Sequence, residues 1–135
     1  MPANDDGHVG AHEAIDVLIV DDNVMLAQAI REMIELSGNR CALAGDGEAA
    51  LRLLNRLHQP PRAILCDLVM PRMDGFELLQ RLRADARWRG IFVVVASGRD
   101  EDRAPALSMG ADVFLSKPFA IHRLIDLVGR PTGDD

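Results

Sequence analysis

The sequence predicts an α/β fold, a doubly wound sheet of five parallel strands with five helices, and three observations carry that prediction. Five short apolar runs alternate along the chain with helical patterns, which is the signature of right-handed βαβ crossovers. Two of the runs are apolar almost throughout, as strands covered on both faces must be. The chain has 135 residues, 48% of them hydrophobic and 27% charged, which suits one domain around one core.

The elements follow in order. Residues 1–14 are rich in Gly, Ala, Asn and Asp without periodicity and are expected to form a flexible tail; the domain is expected over 15–130, with a short tail at 131–135. Strands are expected at 16–20, 40–44, 63–67, 91–96 and 112–116. The first helix is expected to bury one stripe made of Met25, Leu26, Ala29, Ile30, Met33 and Ile34, with Gly38 as its stop. Asp46 can cap a second helix that turns Ala50, Leu53, Leu54 and Leu57 inward and ends before Pro60 and Pro61. Asp74 and Glu77, three apart, read as a capping box for a third helix with Phe76, Leu79 and Leu82 inward. A fourth helix must fit between Asp100 and Met109. Pro105 inside that stretch predicts a short or late-starting helix, because proline suits a first turn and not an interior. A fifth helix is expected at 120–128.

Bulk properties narrow the function classes. With Lys+Arg 15 against Asp+Glu 21, the net charge of -6 argues against direct binding to nucleic acid. Cys41 and Cys66 stand far apart and form no metal-binding spacing, consistent with a reduced, cytoplasmic setting. No run approaches the ~20 apolar residues of a membrane span, so no membrane association is expected, and the first residues do not have the pattern of a signal peptide.

In doubly wound sheets, ligands bind outside the carboxyl ends of the strands. Those ends carry Asp21 and Asp22 after the first strand, Asp67 on the third, Ser97 on the fourth and Lys117 after the fifth. Three carboxylates gathered at one edge invite a divalent cation, and oxygen ligands without His or Cys favour Mg²⁺, with Mn²⁺ possible, over zinc. A lysine and a hydroxyl beside them suit the oxygens of a phosphoryl group. Each residue alone has an ordinary alternative: Asp21 and Asp22 as helix caps, Ser97 and Lys117 as surface residues. An acid directly after Ile64, Leu65 and Cys66 is harder to dismiss, because burying it is costly without a partner.

The motifs "VLIVDDN", "ILCDLVMPRMDGFE", "VVVASG" and "GADVFLSKPF", in this order and spacing over residues 15–129, resemble the receiver domain of bacterial two-component response regulators. The resemblance implies a flavodoxin-like sheet of strand order 2-1-3-4-5, as in single-domain chemotaxis regulators. It implies that Asp67 accepts a phosphoryl group from a phosphohistidine, and that Asp22, Asp67 and the main-chain carbonyl of Val69 bind Mg²⁺ while Asp21 holds it through water. It further implies that Ser97 and Lys117 contact the phosphoryl group and that Phe114 is the aromatic switch, turning inward once Ser97 has moved. Pro118 would follow the lysine through a cis bond that shapes the loop. The implied partners are a histidine kinase or histidine phosphotransfer protein and a downstream protein bound by the face of helix 4, strand 5 and helix 5.

Three departures qualify the resemblance. Phe114 has no hydroxyl, the 97–117 stretch is about two residues shorter than the common pattern, and apolar Val69, with Arg99, flanks the expected path of attacking water. Val69 is therefore expected to slow self-dephosphorylation. No output domain follows "VGRPTGDD", so the expected output is protein contact and not a separate catalytic activity. A receiver cut from a larger hybrid kinase or effector remains open. A small phosphatase of the haloacid-dehalogenase type is the rival: it would want an acid two residues past its nucleophile, where Val69 stands, and its acidic pair late in the chain. A docking unit that has lost phosphorylation is disfavoured by the presence of all five polar positions. Two further features carry no weight in this reading: Arg81, Arg83, Arg87 and Arg89 read as a solvated helix-end face, and His12 as part of the tail.

Overall fold

The computed structural model describes residues 14–70 and 72–128. Except for Ala14, the two expected tails lie outside the described residues, as does His12. Five strands, β1 (Val17–Val20), β2 (Cys41–Ala44), β3 (Ala63–Asp67), β4 (Phe92–Ser97) and β5 (Val113–Ser116), form one parallel sheet in the order β2-β1-β3-β4-β5. The helices are α1 (Val24–Leu36), α2 (Gly47–Arg56), α3 (Gly75–Ala84), α4 (Arg103–Ser108) and α5 (Ile121–Val128), with a 3-10 turn, Asp100–Asp102, leading into α4. The expected fold class and strand order are those observed.

Alternation along each strand divides the core into two layers, as period-2 side chains must. Leu18, Val20, Ile64, Val93 and Val95 pack under α2 and α3, while Val17, Ile19, Leu65, Val94 and Leu115 pack with Ile30, Ile34 and Leu124 of α1 and α5. Burying apolar surface at roughly 25 cal/mol per Å² is what holds these layers together.

Helix α1 corrects one expectation. Its buried residues are Ala27, Ile30 and Ile34, at i, i+3 and i+7, while Met25 is 83% exposed and Met33 and Ala29 also face outward. Ile30 and Ile34 of the expected stripe are buried and Leu26 packs against the core, but the buried face is turned so that Ala27 takes the place of Met25, Ala29 and Met33. Gly38 ends the helix at φ 98° as expected, since that conformation costs a Cβ-bearing residue. Asp46 and Asp74 cap α2 and α3, accepting from the amides of Ala49 and Glu77. On α3 Leu78 joins Leu79 and Leu82 inside, and Phe76 is only half-buried. Helix α4 is short, and Pro105 falls in its first turn, where a missing N–H leaves no intrahelical bond unmade.

The basic run after α3 is not uniformly solvated. Arg83 donates to the carbonyls of Gly110 at 2.9 Å, Arg89 at 2.8 Å and Ile91 at 2.8 Å, and pairs with Asp112 at 2.9 Å. The planar fork of a guanidinium serves several acceptors at once, so this residue fastens the end of α3 to the start of β4 and the approach to β5. Arg87 behaves differently, pairing with Asp85 at 2.8 Å and stacking 4.2 Å from the Trp88 ring centroid.

Candidate functional site

The register of the sheet builds the site. Val20 lies beside Cys66, so Asp21 comes level with Asp67; Asp67 lies beside Ala96, so Ser97 follows one step on; Ser97 lies beside Ser116, so Lys117 comes next. Four polar residues thus stand at adjacent strand ends, beside the point where the chain reverses its direction of growth from β2 to β3.

Carboxylate oxygens of Asp21, Asp22 and Asp67 lie within 4.8 Å of one another. Asp67 is buried, and the Lys117 ammonium stands 3.2 Å from its Oδ2. Its Oδ1 accepts from the Val69 amide at 3.3 Å. Asp21 is also buried, with Oδ1 accepting from the Asn23 amide at 2.9 Å. Burial pushes the Asp21 carboxyl above its ordinary range, the Asn23 amide opposes the shift, and the charge of Asp67 adds to it. The capping explanation for the pair fails, because Asn23 caps α1 by accepting from the Leu26 amide.

An oxygen-only donor set with crowded negative charge and a single nearby ammonium fits a hard divalent cation. Val69 presents its side chain to solvent at 66% exposure. Gly75 lies so close under Asp67 that a Cβ there would stand 2.6 Å from the Asp67 main-chain oxygen, which holds the start of α3 against the end of β3.

Ser97 and Phe114 sit differently from their expected resting roles. Ser97 is not a surface residue; it is 1% exposed, accepts from the Arg99 amide at 3.0 Å and donates to Asp102 Oδ2 at 2.6 Å. Phe114 is buried already, with the Arg103 guanidinium 4.7 Å above its ring. Lys117-Pro118 is a cis peptide.

Two side-chain contacts were not readable from the sequence, the pairing of Asp46 with Arg72 and the bond from Ser97 to Asp102. Asp46 takes a charge-assisted bond from Arg72, 3.0 Å away, which ties the loop between β3 and α3 to the start of α2. Asp102, five residues past Ser97, had no motif to mark it; its distance from Ser97 becomes short only when the 3-10 turn forms.

The family model of the response regulator receiver domain matches residues 17–129. The chain belongs to the response regulator receiver domain family. The receiver is 34% identical over 125 residues to the response regulator MprA of Mycolicibacterium vanbaalenii, covering 90% of this chain and 53% of that protein. It is 37% identical over 110 residues to the response regulator Rre1 of Synechocystis, covering 79% of this chain and 47% of that protein. The receiver therefore spans about half the length of the curated relatives it matches. Among solved structures, the receiver domain of the Francisella response regulator 1452 aligns with a TM-score of 0.74 and 36% identity, over 84% of this chain and 93% of that one. A response regulator receiver protein from Pseudomonas putida aligns with a TM-score of 0.76 and 28% identity, over 88% and 98%. Receivers are the phosphoacceptor modules of two-component systems, and membership sets aside the haloacid-dehalogenase alternative. Among the described residues, no helix is long and apolar enough to cross a membrane.

Proposed function

We propose that this receiver takes a phosphoryl group on Asp67 from the phosphohistidine of a histidine kinase or a histidine phosphotransfer protein, and that the modified state changes which protein it binds. The observation that supports the reading best is the convergence on Asp67 of one ammonium and two further carboxylates at adjacent strand ends. A carboxylate oxygen of Asp67 forms the new O–P bond while the donor's N–P bond breaks, and the imidazole nitrogen keeps the bonding pair and takes a proton. Lys117 holds a phosphoryl oxygen, and Ser97 donates to another after leaving Asp102. Asp22, Asp67 and the Val69 carbonyl would hold Mg²⁺ or Mn²⁺, with Asp21 acting through water. The ion supplies neutralisation of the charge that crowds this edge.

Apolar, exposed Val69 leaves attacking water without an orienting side chain and so prolongs the modified state. The face of α4, β5 and α5 is the proposed output surface for a downstream protein, and a net charge of -6 weighs against direct nucleic-acid contact. A cytoplasmic location fits the free thiols of Cys41 and Cys66. The test is incubation with acetyl phosphate and Mg²⁺. The native chain should gain one hydroxylamine-labile phosphoryl group per molecule and Asp67→Asn none. Equal labelling of the two proteins defeats the proposal, and sustained turnover of many phosphate esters would point to an enzyme instead.

A further inference from the structure

The Ser97 hydroxyl has one proton, and that proton is committed. It points at Asp102 Oδ2 across 2.6 Å, while the Arg99 amide occupies a lone pair of the same oxygen at 3.0 Å. The Asp102 side chain is only 15% exposed, and among the described residues its ionic neighbour is Arg99, with Nε at 3.8 Å. A hydroxyl cannot donate to this carboxylate and to a phosphoryl oxygen at once. We propose that Asp102 is a positioning residue, a latch that keeps the Ser97 hydroxyl out of the phosphoryl site and sets the cost of occupying that site. The inference rests on Asp67 being the phosphoacceptor and adds a residue outside the cluster at the strand ends.

The latch also has an outward connection. Asp102 closes the 3-10 turn Asp100–Asp102, and the next residue, Arg103, covers the Phe114 ring at 4.7 Å. Arg103 donates to Ser116 Oγ at 3.2 Å, and Ser116 Oγ donates to Asp100 Oδ1 at 2.8 Å. One short segment therefore holds both the hydroxyl at the site and the cover of the buried ring on β5. Releasing Asp102 loosens the start of α4, and the output face receives the change through Arg103 and not through a rotation of Phe114 alone. A cleft beside Asp102, lined by Met70, Asp74, Phe76 and Arg99, gives the freed carboxylate room to move.

The test uses beryllium fluoride with Mg²⁺ as a phosphoryl mimic, with affinity read by calorimetry on the full chain. A charge-assisted hydrogen bond that is partly exposed corresponds to about fivefold to tenfold in affinity. Asp102→Ala should therefore bind the mimic about five to ten times more tightly than the native chain. Asp102→Asn, whose amide oxygen still accepts the hydroxyl, should stay within about threefold of native. In a Ser97→Ala background, Asp102→Ala should add no more than about twofold, because the partner is gone. Asp102→Leu reads the same way should the alanine variant not fold. Three results would overturn the latch: unchanged or weaker binding in Asp102→Ala, an Asp102→Asn gain as large as that of alanine, which would indicate charge removal alone, or a gain that persists without Ser97. A native chain that fails to bind the mimic, as Asp67→Asn should, overturns the phosphoacceptor reading and the latch with it. Binding by the native chain with no gain in Asp102→Ala overturns the latch alone.

Discussion

The Lys117 ammonium stands 3.2 Å from Asp67 Oδ2, at a position fixed from both sides: Lys117 donates its amide to the Ser97 carbonyl at 2.8 Å, and β4 carries Ser97 beside β3. The lysine thereby compensates the carboxylate at rest and is already placed where a phosphoryl oxygen would need it. Lys117→Ala should lower phosphoryl uptake from acetyl phosphate by about a hundredfold, the usual scale for removing one preorganised donor. Lys117→Arg should recover no more than about a tenth of the native rate, because a planar fork does not replace a compact ammonium. Single-turnover labelling measures both; native-like rates in either variant would show that this contact is not used.

Crowding at Asp21, Asp22 and Asp67 should destabilise the metal-free fold. Asp21→Asn removes one of the three charges and keeps an oxygen for the Asn23 amide. We expect this variant to be more stable than native in chelator by about 1 kcal/mol, and to gain less than half of the native rise in Tm when Mg²⁺ is added. Thermal unfolding with and without the ion decides the matter.

Asp46 gives the fold an acid-sensitive fastening. Its carboxyl lies below the ordinary value of 3.8, chiefly through the Ala49 amide, with Arg72 adding to the effect. A carboxylate bound more strongly as an anion in the folded state contributes stability above the ordinary range, and loses it as pH falls through the lowered folded value. Asp46→Asn keeps a capping oxygen and loses the charge. Its deficit, about 1 kcal/mol at pH 7 by urea unfolding, should shrink towards zero at acid pH, whereas Asp46→Ala should cost about 2 kcal/mol and keep most of its cap loss.

Arg83 should matter for stability more than any other arginine of its run. Replacing it by Met leaves the carbonyls of Gly110, Arg89 and Ile91 without their donor, at a cost of about 2–3 kcal/mol. Arg87→Met, whose guanidinium pairs with its close neighbour Asp85 on the surface, should shift the urea midpoint far less than Arg83→Met, because an exposed ion pair is screened by solvent. Urea midpoints of the two variants make the comparison.

Most of the fold was legible because its signals are local. Periodicity gave every strand to within one residue at each end, and Asp46, Asp74 and Gly38 marked helix ends by chemistry that needs no tertiary partner. Legibility failed where partners come from distant segments. Met25 and Met33 look like core residues beside Ile30 and Ile34 until the sheet takes up Ala27 in their place. Arg83 looks solvated until Gly110 and Asp112, 27 and 29 residues away, arrive beside it. At the site, the residues at strand ends were readable because strand order fixes them. The bond from Ser97 to Asp102 was not, since it depends on a 3-10 turn that no residue pattern announced.

Borohydride trapping tests the central claim most directly. Reduction of an aspartyl phosphate converts that residue to homoserine, so the native chain, treated with acetyl phosphate and Mg²⁺, then reduced and mapped by peptide mass spectrometry, reports which carboxylate carried the phosphoryl group. Asp67 as the sole homoserine, absent without the donor, is the expected result. Homoserine at Asp21 or Asp22, or none at any position after full exposure to the donor, would contradict it.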